Sequence, residues 1–371
     1  MRTLSHLGRD GPRLLGVPAT TPARRIVWDD PSMLDRGSIT VRDVAALAGV
    51  SLTTVSNVLN RPDRVAPDTL DRVRGAIDEL GYIRNDGARA LRLGKSKAVG
   101  LVISESTSPF YADVIRAADT TLAASGYSAL VGSAYHDVSA AERLIRLFEA
   151  QRVSGLLINP FTEPLPVLEV LMRRGVPVVH VDANSPHPGH CSVTTDHLAG
   201  GRMAIQHLAA LGRRRIALVR GRAEVSQIML RMDGARNTCR ELGIECEEIL
   251  APTYFVRGGI HAGGVIASRS KSNWPDAVFA ANDILAMGIV SALVERGVQV
   301  PEDVAVIGYD DTDFAMAARV PLTTLRQPAS DIGARAATLL LEEIEHYPEH
   351  QHENTVVLPE LIVRASTLAT F

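Results

Sequence analysis

The sequence predicts an α/β protein in which a small all-α helix-turn-helix head precedes a two-lobed body with doubly wound parallel sheets. Residues 38–83 hold three short amphipathic segments that Gly and Pro separate, which is typical of a compact helical module. Residues 98–371 alternate short β-branched runs with helical stretches, an order that favours parallel sheets covered by helices. A body of this length exceeds one such sheet domain, so we expect two similar lobes with a cleft between them.

The composition excludes several classes of protein. Hydrophobic residues make up 46% and charged residues 22% of the chain, as in ordinary globular proteins. No apolar run reaches the ~18 residues of a transmembrane helix, so no membrane partner is expected. Three cysteines without CxxC spacing favour free thiols in a reducing cytoplasm. Residues 1–37 are Arg-, Pro-, Gly- and Thr-rich without periodicity and predict a disordered extension without a secretory signal, and Met33 is an alternative start.

The charge is divided unevenly along the chain. Residues 38–97 carry ten Lys or Arg against seven Asp or Glu, whereas the chain as a whole has a formal net charge of −3. The body is therefore acidic and the head basic. A basic head on an acidic body predicts a polyanionic partner for the head alone.

Three helices are expected in the head. Thr40 can cap a first helix over residues 41–48, and Gly49 can adopt the left-handed conformation that turns the chain. Ser51 can cap a second helix over residues 52–59. A third helix starts at Pro67 and is ended by Gly81. Two short helices joined by a three-residue turn predict a helix-turn-helix module.

The second helix carries side chains that suit a DNA groove. Leu52 offers an apolar contact for a thymine methyl group, Thr53 a hydroxyl, and Asn57 a bidentate partner for adenine. The hydroxyls of Ser51 and Thr54 can donate to phosphates. The helix pattern alone fits equally well a three-helix interaction domain whose polar residues are solvated.

Residues 39–60 (ITVRDVAALAGVSLTTVSNVLN) resemble the N-terminal signature of the lactose-repressor (LacI/GalR) family of bacterial transcription regulators. The match continues through residues 66–69 and 77–82, and similarity covers about residues 38–367. The resemblance implies a cytoplasmic homodimer that binds a near-palindromic operator in double-stranded DNA, most often as a repressor, under the control of a small-molecule effector. The DNA-contacting residues expected on this basis are Thr40, Ser51, Leu52, Thr53, Thr54, Ser56, Asn57, Asn60, Ala88 and Leu91.

Two features of the resemblance concern DNA. Asn57 stands where Arg is common in the family, which favours adenine over guanine at the contacted base pair. Residues 84–97 match the hinge helix, in which Leu91 would wedge into the minor groove and Ala88 would pack against the partner hinge. Gly87 costs a helix ~1 kcal/mol relative to Ala, so this hinge is expected to be loose when free, and a plain flexible tether is the alternative.

The body resembles the type I periplasmic-binding-protein fold that the family shares with sugar-binding proteins. The N-lobe is expected over about residues 98–197 and 327–355, and the C-lobe over about 198–326 and 356–371. Helices are expected over 111–124 and 286–295. The expected strands are 99–103, 129–131, 155–159, 176–181, 215–220, 277–280 and 304–309.

Polar and aromatic residues at strand ends predict the effector site, because the carboxyl ends of parallel strands face the cleft. The resemblance adds Arg231, which matches the ligand-binding Arg of the family. Arg231 and Asp310 are the strongest candidates, since paired charges can clasp vicinal hydroxyls. As bare strand-end residues, half of the set would be helix caps or turn formers. With the matches implied by the resemblance, the expected set is Ser108, Phe110, Tyr111, Asp182, Arg231, Tyr254, Asn282, Asp310 and Gln327.

The identity of the effector stays open at this point. Ala183 follows Asp182 where sugar binders often have Arg, so a sugar is one option. Residues 222–230 (RAEVSQIML) are richer in bulky apolar groups than the usual stretch, which fits a larger or more apolar ligand. Induction and corepression are both compatible with the sequence.

Other functions are disfavoured by missing motifs. The chain has no G-x-S-x-G, H-E-x-x-H or G-x-x-x-x-G-K-[ST], so no catalytic residue and no cofactor are predicted. His346, His350 and His352 cluster near two glutamates, but in a polar loop we expect them to be solvated, and no metal site is predicted. A solute-binding protein would need an export signal and no head. A DNA-binding regulator that has lost ligand control is the remaining alternative.

Overall fold

A computed structural model describes residues 39–82, 96–159, 165–185, 187–346 and 349–368. The chain divides into two compact units, residues 1–85 and residues 86–371, which are described separately. Among the described residues, no helix combines the length and the apolar character that crossing a membrane requires.

The described part of the first unit is helical. Helices α1 (Val41–Ala48), α2 (Leu52–Asn60) and α3 (Pro67–Leu80) are joined by a tight turn and by a 3-10 turn at Pro62–Arg64. The three helices bury one small apolar core, because their apolar residues recur at helical spacing. That core consists of Val44, Ala45, Ala48, Val55, Val58, Val73 and Ala76.

Local signals fix the ends of α1. The backbone N–H and the hydroxyl of Thr40 both donate to Asp43 Oδ2 at 2.7 Å, which ties the first turn together. Gly49 ends the helix with φ +63°, a conformation that suits glycine. The tight turn therefore follows directly from the sequence.

The N-lobe of the second unit contains a six-stranded sheet in which every pairing is parallel. Its order is β11-β5-β4-β3-β1-β2. The strands are β1 (Ala98–Ile103), β2 (Ser128–Ser133), β3 (Leu156–Ile158), β4 (Val178–Val181), β5 (Cys191–Thr195) and β11 (Asn354–Val357).

Helices cover both faces of this sheet. Leu101 of β1 belongs to the core shared with α4 (Pro109–Ala124) and α12 (Ala329–His346), whereas Val102 belongs to the core shared with α5 (Val138–Ala150) and α6 (Pro166–Arg173). Successive strand residues point to opposite faces, so β1 is apolar throughout.

The C-lobe repeats the same plan. Its four parallel strands lie in the order β7-β6-β8-β9, and their helices complete a single apolar core. An antiparallel pair, β10 (Thr324–Arg326) with β12 (Glu360–Ile362), lies beside it. The remaining elements are β6 (Arg215–Gly221), β7 (Glu245–Ala251), β8 (Ala277–Ala280), β9 (Ala305–Ile307), α7 (His197–Ala210), α8 (Ser226–Leu242), α9 (Val256–Ala267), a 3-10 turn (Lys271–Asn273), α10 (Asp283–Glu295) and α11 (Asp313–Ala317).

The chain crosses between the lobes after β5, after β10 and after β11. The last crossing follows Val357, slightly beyond the boundary expected from the sequence at residue 355. The structure contains each expected strand, trimmed or extended by a few residues, and adds β5, β7, β10, β11 and β12, which the sequence analysis missed.

Candidate functional site

The exposed face of α2 carries the predicted base-reading residues. Leu52 is 45% exposed at the first position of the helix, so its side chain is accessible to a partner. Thr53 and Asn57 are exposed and lie four positions apart, so they share one face of the helix. Side chains that contact base edges in the major groove must be exposed on one face of a helix in this way.

Other predicted DNA-contacting residues already have bonds within the head. Ser51 Oγ accepts a hydrogen bond from the Thr54 N–H at 3.1 Å and caps α2, and the two hydroxyls lie 2.9 Å apart. Ser56 is half-buried. The Asn60 amide donates to the Ser56 carbonyl oxygen at 2.7 Å. Thr40 belongs to the cap of α1 described above. Ala88 and Leu91 lie outside the described residues.

A cavity of about 420 Å³ lies between the lobes of the body. Its walls come from the carboxyl ends of strands in both sheets and from the loops that follow them. This is the position that ligands occupy in open parallel α/β sheets. Among the predicted effector residues, those that line this cavity are Ser108, Phe110, Tyr111, Asp182, Arg231, Tyr254, Asn282 and Asp310.

Arg231 of α8 is the buried cation of the cavity wall. Its Nη1 donates to the carbonyl oxygen of Ala281 at 2.8 Å and lies 3.5 Å from Asp310 Oδ1. Its Nε faces His197 Nδ1 at 3.3 Å, and its guanidinium carbon lies 3.8 Å from the ring centre of Tyr309. The guanidinium is thus oriented before any ligand arrives, which limits the entropy that binding costs.

Asp310 faces the same cavity from the end of β9. Burial raises the pKa of this carboxyl, while Arg231 and a 2.7 Å hydrogen bond from the Gln327 amide act in the opposite direction. Gln327 does not line the large cavity. It lies behind Asp310 and lines a smaller neighbouring cavity of about 220 Å³.

Asp182 links the N-lobe to this network. The Tyr111 hydroxyl donates to Asp182 Oδ2 at 3.0 Å, and His197 Nε2 lies 3.1 Å from Oδ1. Because Arg231 can only donate, His197 Nδ1 accepts and Nε2 carries the proton that it donates to Asp182. Burial lowers the pKa of His197, in agreement with this neutral tautomer.

The backbone is strained at three carboxylates near the cavity. Asp182, Asp310 and Asp311 have φ values of +56°, +112° and +54°. Non-glycine residues adopt such angles at a cost, and strained residues cluster at ligand sites because the surrounding structure holds them there. Asp182 and Asp310 both line the cavity.

Two of the lining residues also have structural roles. Asn282 Oδ1 accepts from the Leu285 N–H at 2.8 Å and caps α10. The Tyr254 hydroxyl donates to the carbonyl oxygens of Gly221, at 3.2 Å, and Ala223. The strand-end pattern predicted Asn282 and the resemblance predicted Tyr254, and both are wall residues that are fixed by their bonds to the fold.

Several wall residues were missed by the sequence analysis. Gln227 lines the cavity and donates to the carbonyl oxygen of Asp182 at 2.8 Å, so it connects the two lobes. His197 and Tyr309 support Arg231 from behind. Tyr135, Phe255 and Phe314 surround the cavity with side chains that are 42% to 62% exposed. Together these groups offer apolar faces and hydrogen-bond acceptors, and they suit a ligand with both hydroxyl groups and an apolar part.

A second cluster lies away from the cavity, in the N-lobe. The structure places His350 and His352 beside Cys191 and Glu343, with the potential ligand atoms of all four within 4.8 Å of one another. Of the three histidines that were expected to be solvated, His346 and His352 are exposed and His350 is half-buried, and the structure places His350 and His352 in this cluster. The side chains of the cluster are those that bind transition metals.

Comparisons with known proteins identify both parts of the chain. Residues 40–85 match the family of bacterial regulatory proteins called lacI, and residues 205–367 match the periplasmic binding protein-like domain. The ribose operon repressor of Escherichia coli (strain K12) is 34% identical over 331 residues, which are 88% of this chain and 99% of the relative. The transcriptional repressor PurR of Photobacterium profundum is 32% identical over 333 residues, 88% of this chain and 98% of that one.

A solved structure extends the comparison to the fold. The Lac repressor dimer, bound to operator and the anti-inducer ONPF, has a TM-score of 0.77 and 29% identity, and the match covers 90% of this chain and 100% of that one. The likeness confirms the predicted arrangement of a helical head and a two-lobed parallel α/β body. The ribose operon repressor is 34% identical to this chain, and the match covers 99% of its length. This similarity confirms the family predicted from the signature. The chain therefore belongs to the lacI family of bacterial regulatory proteins and is a DNA-binding transcriptional regulator.

Proposed function

We propose that this regulator represses transcription by binding a near-palindromic operator as a homodimer, and that a small molecule in the body cavity controls it. Support for the first part comes from the exposed Leu52, Thr53 and Asn57 on α2 and from the similarity to the Lac repressor dimer on its operator. Two heads on two half-sites require a two-fold operator. We also infer a non-enzymatic role in the cytoplasm, since the named relatives are repressors and the operator lies there.

The buried pair Arg231–Asp310 carries the proposal for the effector. A charged pair that is buried at the wall of a cavity costs desolvation energy, and a ligand that hydrogen-bonds to it recovers part of that energy. Asp182 supplies a further acceptor from the opposite lobe. Alternating carboxylate oxygens and guanidinium N–H groups match the donors and acceptors of a polyol, so we propose a carbohydrate as the effector class.

The aromatic side chains around the cavity refine this class. Tyr135, Phe255 and Phe314 expose apolar surface where a ligand would enter, and Val225 and Ile228 line the interior. These groups suit an apolar sugar face or an aglycone. We therefore expect a glycoside or disaccharide to bind more tightly than a free pentose.

Selection of random duplex DNA on the full-length protein tests the operator. At ~0.15 M salt, weak electrostatic binding is screened, so enrichment reports specific contacts. Enrichment of a near-palindrome is expected. Recovery of asymmetric sites, or of none with and without metabolites, would contradict a dimeric operator reader.

Thermal unfolding in the presence of sugars, glycosides and purines tests the effector. A ligand at 100 times its Kd stabilises the native state by ~2.7 kcal/mol, which raises the melting temperature measurably. Asp310→Asn keeps an acceptor for Gln327 but removes the charge, and we expect it to weaken effector binding at least tenfold. Asp311→Asn is the matched control, because Asp311 pairs with Arg326 and Arg364 and does not line the large cavity. Purine binding without carbohydrate binding would overturn the proposed class.

A further inference from the structure

Three segments of the N-lobe converge at one edge of the six-stranded sheet. Cys191 is the first residue of β5, and Glu343 lies in the last turns of α12. Residues 349–353 lead into β11, which pairs with β5, and the Ser192 N–H donates to the Glu353 carbonyl oxygen at 2.9 Å. Side chains that are far apart in sequence are thereby brought together by the pairing of β5 with β11.

The distances between the potential ligand atoms match a tetrahedral metal site. Cys191 Sγ lies 3.2 Å from His350 Nε2 and 3.8 Å from His352 Nδ1. His352 Nδ1 lies 3.9 Å from Glu343 Oε2. Four ligands placed around Zn²⁺ at tetrahedral angles, with Zn–S ≈ 2.3 Å and Zn–N ≈ 2.0 Å, are separated by about 3.5 Å. All four ligand atoms lie within 4.8 Å of one another, close to this spacing.

Glu343 gives an independent reason to place a cation here. The residue is 3% exposed, and its Oε2 accepts no hydrogen bond from the described residues. An unpartnered carboxylate in the interior is costly. His352 Nδ1 of the cluster lies 3.9 Å from this oxygen. A metal ion at the centre of the cluster would neutralise and coordinate it.

The donor set selects the kind of metal. One thiolate, two imidazoles and one carboxylate are ligands of zinc-class ions, whereas Mg²⁺ and Ca²⁺ prefer sites made of oxygen atoms. Four protein ligands close the coordination sphere and leave no open position, as in structural rather than catalytic sites. The Glu353 N–H faces Cys191 Sγ at 3.4 Å and can orient the thiolate.

We propose that Cys191, Glu343, His350 and His352 bind one zinc-class divalent ion that fastens the end of α12 and the segment before β11 to β5. On binding, the thiol releases its proton to solvent and the ion takes its place on sulfur. The site lies in the body, apart from the effector cavity, so it acts through the stability of the N-lobe.

Cobalt titration of the full-length protein, freed of metal with a chelator, tests this proposal. Co²⁺ in a tetrahedral site with a thiolate gives intense visible bands and a sulfur-to-cobalt charge-transfer band in the near ultraviolet. We expect these bands to saturate at one Co²⁺ per chain and to disappear when Zn²⁺ is added. Weak bands of octahedral type, without charge transfer, would overturn the site.

Variants identify the ligands. Cys191→Ser should abolish the charge-transfer band, whereas Cys239→Ser, at a buried cysteine of the C-lobe, should leave it unchanged. His352 is exposed, so we expect His352→Gln to leave the fold intact. It should weaken Zn²⁺ binding at least tenfold and reduce the increase in melting temperature that Zn²⁺ produces. His346→Gln is the matched control on the exposed end of α12. Equal Zn²⁺ affinity in His352→Gln and His346→Gln would exclude His352 as a ligand and overturn the four-ligand site.

Discussion

His197 lies at the centre of the polar network of the body. It is 2% exposed and accepts from Arg231 on one side while it donates to Asp182 on the other. An imidazolium in this position would face the Arg231 guanidinium with a proton on Nδ1. Burial and that positive charge therefore hold the pKa of His197 below its ordinary value of 6.5.

The lowered pKa of His197 makes the free energy of unfolding depend on pH. Above pH 6.5 His197 is neutral in both the folded and the unfolded chain and contributes nothing to the slope. Below pH 6.5 the unfolded chain takes up the proton first, so the free energy of unfolding falls as pH falls, by up to ~1.4 kcal/mol per pH unit for one group.

We expect His197→Gln to flatten this dependence, because an amide can also accept from Arg231 and donate to Asp182 but does not titrate. The free energy of unfolding of the two proteins, measured by urea denaturation from pH 7.5 to pH 5.5, is the test. The other histidines titrate identically in both proteins, so the difference isolates His197. Parallel curves would contradict a neutral, buried His197 with a lowered pKa.

Asn57 gives a prediction at the DNA. Asn57→Ala removes the amide that could bond the adenine edge and leaves the charge of the head unchanged. We expect base preference to relax at one position in each half-site, at a cost of ~1–3 kcal/mol for the preferred sequence, with an unchanged salt dependence of non-specific binding. Binding assays on operators with single substitutions at several salt concentrations measure both quantities. Selectivity equal to that of the wild type would show that Asn57 does not read a base.

At the scale of elements, glycines set the spacing of helices α9 and α10. A Cβ built on Gly259 would lie 2.1 Å from the backbone oxygen of Leu285, and a Cβ on Gly288 would lie 2.2 Å from the backbone oxygen of Val256. Neither backbone can yield without moving a whole helix. The two helices are consequently in direct backbone contact, and residues without a side chain are required there.

Gly259→Ala should therefore destabilise the C-lobe. Overpacking of a well-packed core typically costs ~1–3 kcal/mol, and this contact lies at the upper end because it involves backbone. Gly264→Ala, in the same helix, is the matched control, since the nearest atom to its Cβ is a terminal nitrogen of Arg296 at 3.6 Å. We expect that change to be neutral or slightly stabilising, because alanine favours helix. Denaturant unfolding of both variants measures the difference, and equal stabilities would show that the helices can separate freely.

The elements also show what a sequence can predict. Strands β1, β6 and β8 are continuous β-branched or apolar runs, and such runs are recognisable because both faces of a parallel sheet are buried. Strand β5 (CSVTT) is buried through cysteine, serine and threonine, and β7 (ECEEILA) carries three glutamates, so neither has the expected pattern. Their positions are fixed by tertiary pairing with β4 and β6, which local sequence does not record.

Only part of the candidate effector site and of the metal cluster is predictable from the sequence. Residues directly after recognisable strands, such as Asp182 and Asp310, could be placed at the cleft because strand ends meet there. His197 follows β5, and its role depends on that unrecognised strand. Likewise Cys191 and His352 are more than 150 positions apart, and only the pairing of β5 with β11 brings them together.

At the scale of the whole molecule, the effector and the operator are linked by thermodynamics. Ser108 and Asp182 contribute to the cavity from the N-lobe, and Arg231 and Asn282 contribute from the C-lobe. A ligand that contacts both walls stabilises one arrangement of the lobes over the others. It can shift DNA binding only by its difference in affinity between the arrangements.

Linkage requires that this effect be reciprocal. If the effector changes the operator affinity by a given factor, commonly about 5-fold to 150-fold, the operator must change the effector affinity by the same factor. We expect equal factors from fluorescence anisotropy of labelled operator with and without effector, and from calorimetric titration of effector with and without operator. An operator affinity that falls when effector binds indicates induction, and one that rises indicates corepression.

Asp310→Asn provides the internal control for this linkage. The variant retains the whole head, so it should bind the operator as the wild type does in the absence of effector. Because its cavity has lost the charge that we assign to effector recognition, the operator affinity should respond only at effector concentrations at least tenfold higher. If the wild type binds the effector and its operator affinity stays constant at saturation, the coupling free energy is zero, and the chain is a DNA-binding regulator that has lost ligand control.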